Sequence, residues 1–200
     1  MIGFLGTQKL AQVAYIVKDV VQAKQAFAEM LGMKVPDHFD GGKFEITQTE
    51  YLGQPAPKAN CWMAFFTVGD GCQIELIQPN DERSLWQDYL DNHGEGLHHI
   101  AFKITDMQEK INLCEAHGMK LVQRGKYGDG SGRYAYLDAN DSLHCYLELL
   151  EDGIRNWMCQ RFEGPESDTA IILNLQSCMS CWRFWRLYTS FRLSGLSAVR

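Results

Sequence analysis

The 200-residue chain contains no uninterrupted apolar run of about 18 residues, so no membrane-spanning helix is expected. Its opening segment, Met1-Ile2-Gly3-Phe4-Leu5-Gly6-Thr7-Gln8-Lys9-Leu10, has neither a basic start nor a long apolar stretch, and no secretory signal is expected. Basic residues are in deficit: 19 Lys+Arg against 25 Asp+Glu leave a formal net charge of -6. A nucleic acid is therefore not the expected partner, because a phosphate-binding face needs a positive field. The seven cysteines, at 61, 72, 114, 145, 159, 178 and 181, have no framework spacing and are odd in number. They read as reduced thiols in a cytoplasmic setting, not as a disulfide scaffold.

What the chain does contain is a repeat of itself. Gln12-Val13-Ala14-Tyr15-Ile16-Val17-Lys18-Asp19 returns as His99-Ile100-Ala101-Phe102-Lys103-Ile104-Thr105-Asp106. Each copy runs into a helix-like stretch and a Gly-Met-Lys turn, at Gly32 and at Gly118. Each closes on a strand with a carboxylate between apolar neighbours, Ile74-Glu75-Leu76 and Leu147-Glu148-Leu149. Four metal-ligand types, Gln12, Glu75, His99 and Glu148, thus fall at corresponding positions of two related modules.

Residues 12–18 alternate as a half-buried strand should. Asp19 offers an N-cap, and the apolar residues from Val21 to Leu31 supply a helical stripe ended by Gly32. Lys43–Tyr51 reads as a second strand. Cys61–Val68 and Cys72–Gln78 flank Gly69-Asp70-Gly71, a hairpin signal. Leu85, Trp86, Tyr89 and Leu90 are spaced for a short linker helix within 80–96. A strand over 98–104, a helix near 106–117, and strands over Arg133–Leu137 and His144–Leu150 complete the second copy. The class is α+β: two tandem βαβββ modules, about 11–79 and 97–151, form one domain over 1–152.

Residues 153–200 differ in kind, holding six arginines, no lysine, three of the five tryptophans and three of the seven cysteines. Three readings stay open for this basic extension: a peripheral tail, a coat for a membrane surface or partner helix through Cys181–Tyr188, or a helix packed on the body. Cys178 and Cys181 form one C-x-x-C, a weak redox or zinc signal without a second pair.

Strand alternation decides which side chains meet. Gln12, Ala14 and Ile16 share one face, and His99, Ala101 and Lys103 share the corresponding one. Ile100 and Phe102 suit packing against a helix, which points His99 to the concave side. Ala14 and Ala101 leave room beside the ligands. Glu75 and Glu148 lie in strands too apolar for an unpaired carboxylate, so each should be paired, at a cavity or on a cation. One imidazole, one amide oxygen and two carboxylates suit a divalent ion with coordination left for water or substrate. A satisfied His–Glu core network is the alternative. His98 is the weaker ligand because of its strand parity, and His38, His93, His117 and His144 lack ligand spacing with the group. Arg124, Lys126 and Arg133, around a glycine-rich segment without a phosphate-loop fingerprint, could meet an anionic substrate tail.

Over residues 11–151 the chain resembles the vicinal oxygen chelate superfamily, which includes glyoxalase I, methylmalonyl-CoA epimerase and extradiol dioxygenases. The resemblance implies paired βαβββ modules in a cupped mixed sheet around a divalent metal, with Gln12, Glu75, His99 and Glu148 as ligands. Pro79-Asn80-Asp81-Glu82-Arg83-Ser84 followed by Gly94-Glu95-Gly96-Leu97-His98-His99-Ile100-Ala101-Phe102 is most similar to the epimerase. Glutamine first and glutamate second instead resembles the eukaryotic glyoxalase I ligand set. The epimerase's second catalytic glutamate has no counterpart in residues 61–68, with Glu45 or Glu50 the candidates to replace it.

The implied activity is that of a metal-dependent isomerase or lyase acting on a small carbonyl or thioester substrate. Glu148 would be the general base that takes a proton beside the polarised carbonyl, and Glu75 the opposite base. The alternatives are a glyoxalase I-like lactoylglutathione lyase and a non-catalytic binding protein that keeps the fold. Zinc, nickel, cobalt, manganese or magnesium would suit the donors. A homodimer and a site complete within one chain both stay open.

Overall fold

The computed structural model describes residues 3–153; the basic extension from 154 onward, with Cys178, Cys181 and Cys181–Tyr188, lies outside the described residues. Among the described residues no helix is long and apolar enough to cross a membrane, and Cys61, Cys72, Cys114 and Cys145 are free thiols.

The elements run β1 (Leu10–Ile16), α1 (Val20–Leu31), β2 (Phe39–Asp40), α2 (Phe44–Thr47), β3 (Glu50–Tyr51), β4 (Gln54–Pro55), β5 (Cys61–Val68), β6 (Cys72–Pro79), α3 (Leu85–His93), β7 (Gly96–Lys103), α4 (Met107–Ala116), β8 (Lys120–Lys126), β9 (Gly132–Asp138), α5 (Asn140–Leu143) and β10 (Tyr146–Asp152). The strands form one mixed sheet in the order β2-β5-β6-β1-β7-β10-β9-β8-β3-β4. The first strands of the two modules, β1 and β7, pair antiparallel at the centre. Each is flanked by the parallel closing strand of its own module, β6 or β10. The repeat is thereby folded about a pseudo-twofold seam.

Local chemistry sets the element ends. The Asp19 side chain accepts from the Val21 and Gln22 amides at 2.8 and 2.9 Å, and Gly32 closes α1 in the left-handed region at φ 65°. One face of the sheet is covered by helices. Val20 and Ala28 of α1 pack with Ala64, Phe66 and Leu76, and Met107, Ile111 and Cys114 of α4 pack with Leu137, Leu147 and Leu149. On the other face, Leu85 and Trp86 of α3 pack with Ala14, Ile16, Ile77 and Tyr136. That leaves the remainder of this face to line a cavity.

The pairing across the seam contains two bulges. Leu10 faces Phe102 and Gln12 faces Ala101, which leaves Ala11 as the extra residue in β1. Ala14 faces His99 and Tyr15 faces Leu97, which leaves His98 as the extra residue in β7.

The strand expected over Lys43–Tyr51 is corrected. Phe44–Thr47 form a helical turn, closed by Gln48 at φ 47°, and only Glu50–Tyr51 is extended. Its partner explains the difference, because β3 pairs with β8 of the other module, Glu50 opposite Arg124 and Tyr51 opposite Gln123. β2 pairs instead with β5 of its own module. Residues 41–49 therefore cross from one flank of the sheet to the other. The Glu50 carboxylate takes Arg124 Nε and Nη2 at 2.7 Å each, and the Tyr51 hydroxyl donates to Asp88.

The crossing is tight where Gly41 and Gly42 meet Gly128. A Cβ on Gly128 would stand 2.6 Å from the Gly41 carbonyl oxygen, a backbone atom that cannot swing aside. Gly128→Ala is therefore expected to lower the unfolding free energy by about 1–3 kcal/mol, the usual range for overpacking. Chemical denaturation of both proteins checks this, and an unchanged midpoint would show that the crossing is loose.

Candidate metal centre

The register places the ligand types in two rows across the four central strands. Glu75 of β6, Ala14 of β1 and His99 of β7 form one row. Gln73, Gln12, Ala101 and Glu148 form the next. In each row an alanine separates the long polar side chains, so they reach over it toward a common point. Ala14 and Ala101 are both fully buried.

Glu75, His99 and Glu148 do converge. One ligand atom from each lies within 4.8 Å of the other two. His99 Nε2 stands 3.0 Å from Glu148 Oε2 and 3.3 Å from Glu75 Oε2, with all three side chains buried. Despite these distances none of the three atoms has a well-directed hydrogen bond. Three inward-facing buried polar atoms whose hydrogen bonds are poorly directed are costly unless something joins them. Their spacing fits an ion: donors about 2.1 Å from a common centre lie about 3.0 Å apart at right angles and about 3.4 Å apart at the tetrahedral angle. Gln12 lies on the same cavity wall, where its Nε2 donates to Gln73 Oε1 at 3.1 Å. This assignment of the amide leaves Gln12 Oε1 as the atom available to a cation.

The electrostatics follow from burial. Burial lifts the Glu75 carboxyl above its ordinary range and the Glu148 charge adds to this, while His99 pulls the other way. For His99 burial opposes the imidazolium, but the Glu148 and Glu75 carboxylates outweigh it and push the ring up to about 9. The neighbouring His98 is driven well below its ordinary value, first by burial and then by His99.

Sequence parity set His98 apart, and the bulge reverses that placement. As the extra residue of β7 it turns to the same side as His99, and the two Nδ1 atoms lie 2.9 Å apart. Its ring sits among Tyr89, Tyr136 and Tyr146, with centroids 4.9, 5.6 and 5.0 Å away. The adjacent His-His pair was the only sequence signal, and strict alternation concealed it.

The site opens into a cavity of about 640 Å³. Phe39, Met63 and Phe65 give it an apolar wall, while Lys103, Lys126, Asp129 and Asp152 contribute charge on another side. Of the three residues considered for an anionic tail, Lys126 lines the cavity. Arg124 is engaged by Glu50 and Arg133 by Glu151. Glu50 is occupied by that pair, Glu45 is exposed on α2, and neither lines the cavity. Asp40 of β2 does, and sequence reading had passed over it.

The profile of the Glyoxalase/Bleomycin resistance protein/Dioxygenase superfamily matches residues 11–136. The chain belongs to this superfamily. Among curated relatives it is similar to the uncharacterized protein YqjC of Bacillus subtilis (strain 168), 29% identical over 90 residues, 44% of this chain and 64% of that protein. The chain thus matches a little under two thirds of that relative's length. Among solved structures it is similar to methylmalonyl-CoA epimerase from Mycobacterium tuberculosis, with a TM-score of 0.56 and 19% identity over 79% of this chain and 97% of the other. A Streptomyces coelicolor methylmalonyl-CoA epimerase variant in complex with 2-nitronate-propionyl-CoA gives 0.51 and 18% over 72% and 97%. At such identities the likeness is one of fold, and it agrees with the cupped α+β sheet seen here.

In this member of the superfamily the raised pKa values make metal-free stability depend on pH in one direction. A group whose folded pKa lies above its unfolded value stabilises the fold at low pH and loses that contribution as pH rises. His99, raised from 6.5 to about 9, should therefore contribute fully below pH 6.5 and progressively less up to about pH 9. The loss is on the order of 3 kcal/mol. Unfolding in chelator should show the stability advantage of the wild type over His99→Gln shrinking across that window. A constant difference would mean that His99 is not held as an imidazolium.

Proposed function

We propose that this chain is a divalent-metal-dependent isomerase or lyase that removes a proton α to a carbonyl, in the manner of a methylmalonyl-CoA epimerase. The observation that carries the proposal is the convergence of three buried atoms, Glu75 Oε2, His99 Nε2 and Glu148 Oε2, at ligand spacing and without well-directed hydrogen bonds, beside the cavity. Gln12, Glu75, His99 and Glu148 would hold the ion, with zinc, nickel, cobalt, manganese or magnesium compatible with one imidazole and oxygen donors. A divalent ion there would polarise the substrate carbonyl and take up the charge of the developing enolate.

The chain's own residues divide the remaining work. His99 presents its ring nitrogen, and Gln12 is oriented by its bond to Gln73. Glu148 is the general base, acting on a proton within about 3 Å. Glu75, whose carboxyl is made more basic by burial, is the second carboxylate able to hold a proton. Phe39, Met63 and Phe65 would exclude water from the enolate. Inversion at the α-carbon calls for a donor on its other face, and Asp40 lines the cavity from β2, on a different strand from either glutamate.

The substrate proposed first is an acyl thioester, supported by the epimerase-like motif around His99 and by the fold likeness. The Gln12–Glu75 combination favours a second reading, a lactoylglutathione lyase that shuttles the proton between adjacent carbons with one base. Metal analysis of gently purified wild type and Glu148→Ala, followed by α-proton exchange in deuterated water, separates the two. Wild type is expected to hold about one ion per chain and to exchange methylmalonyl-CoA, with the variant losing metal and at least about 100-fold in rate. Exchange of the methylglyoxal–glutathione adduct alone would select the lyase. Neither metal nor exchange would overturn the catalytic reading and leave a small-molecule-binding protein.

A further inference from the structure

We propose that His98 is a positioning residue that fixes the tautomer of His99, accepting the His99 Nδ1 proton so that Nε2 is left to bind the metal. The inference rests on the metal reading above and concerns a residue that strand alternation would turn away from the site.

Consecutive residues of a regular strand face opposite sides of the sheet. His98 and His99 escape this because His98 is the extra residue of the bulge in β7. Both rings are fully buried, and their Nδ1 atoms meet at 2.9 Å. One of these nitrogens must carry the proton and the other the lone pair. If His98 donated, neutral His99 would hold its proton on Nε2, the atom facing Glu75 and Glu148, and could not ligate an ion. If His99 donates, Nε2 is free to do so.

The surroundings of His98 select the second arrangement. Its Nε2 has no hydrogen-bond partner and lies in a ring enclosed by Tyr89, Tyr136 and Tyr146. No tyrosine hydroxyl reaches Nε2, and an aromatic ring can accept an N–H weakly but has no polar hydrogen to donate to a lone pair. The proton of His98 therefore belongs on Nε2, and Nδ1 is the acceptor. The bulge itself is held from α3: Tyr89 donates its hydroxyl to the Leu97 carbonyl at 2.6 Å while its ring stands perpendicular to that of His98. The arrangement corresponds to the carboxylate or carbonyl that orients most metal-bound histidines, with a second imidazole in that role.

The test is zinc affinity, by competition with a chromogenic chelator, for wild type, His98→Phe, His98→Asn and His98→Gln. The Asn side-chain oxygen stands at the same bond distance from the backbone as His Nδ1, whereas that of Gln stands one bond further out. Phe and Gln are expected to weaken zinc binding by about 10–100-fold, and Asn to stay within a few-fold of wild type. Wild-type affinity in the Phe variant, or equal losses in Asn and Gln, would overturn the assignment. Nitrogen-15 shifts of zinc-loaded wild type provide a reading independent of variant folding: Nδ1 of His99 should be protonated and Nε2 metal-bound, and the reverse would also overturn it. A wild type that binds no zinc while folded would instead remove the metal reading on which the inference stands.

Discussion

Two carboxylates and one imidazole are brought together out of water, and much of the domain's arrangement follows from that. Glu75 and Glu148 are each almost wholly buried and share one neighbour, His99, that can offset their charge. Removing an ion from water costs several kcal/mol even after relaxation, so two like charges beside one cation are an unstable solution by themselves. The elevated His99 pKa expresses the strain: the ring holds its proton because the carboxylates need it. A dication with neutral His99 would balance the same donors completely. Proton and metal thus compete for one position, and the site is most strained in alkaline solution without metal.

The duplication makes this concentration of polar atoms possible. Each module contributes a first strand to the seam and a closing strand beside it, so four polar side chains arrive from four adjacent strands. Alanines at 14 and 101 occupy the crossing points, and larger residues there would hold the carboxylates apart. Helices α1 and α4 lie on the opposite face, where Ile100 and Phe102 are associated with the α4 cluster. The polar cluster can therefore tighten without disturbing the apolar layer behind it.

Much of this was legible from residues alone. The repeat, the Asp19 and Gly32 ends of α1, the hairpin at Gly69-Asp70-Gly71 and the linker helix over Leu85–His93 follow from local pattern, and local pattern governs them in the fold. The face shared by Gln12 and His99 was likewise readable from alternation. What could not be read depended on distant partners. Glu50–Tyr51 is a strand because β8 lies beside it, more than seventy residues along the chain. Phe44–Thr47 has no such partner and coils. The pairing of Arg124 and Arg133 has the same origin, since Glu50 and Glu151 meet them only after folding. His98 was misplaced for a different reason: a bulge changes parity without leaving a mark in the pattern of apolar residues.

The second bulge bears on the role proposed for His98. Under the repeat, Ala11 corresponds to His98 as Gln12 corresponds to His99, and Ala11 is the extra residue of β1. The same backbone irregularity thus precedes the ligand type in both modules, but only one copy carries a ring. The difference matches what each ligand type requires. A glutamine presents its oxygen whenever its amide nitrogen is engaged, and Gln73 from the neighbouring strand engages it at 3.1 Å. An imidazole has two chemically similar nitrogens, and the wrong one can hold the proton. For that ligand an acceptor must come from beside the ring, and the bulge supplies the one backbone position from which the preceding side chain can reach it. Ala11 and His98 thus occupy corresponding bulges of the two modules, and in the role proposed for His98 it is the imidazole, not the amide, that calls for the second ring.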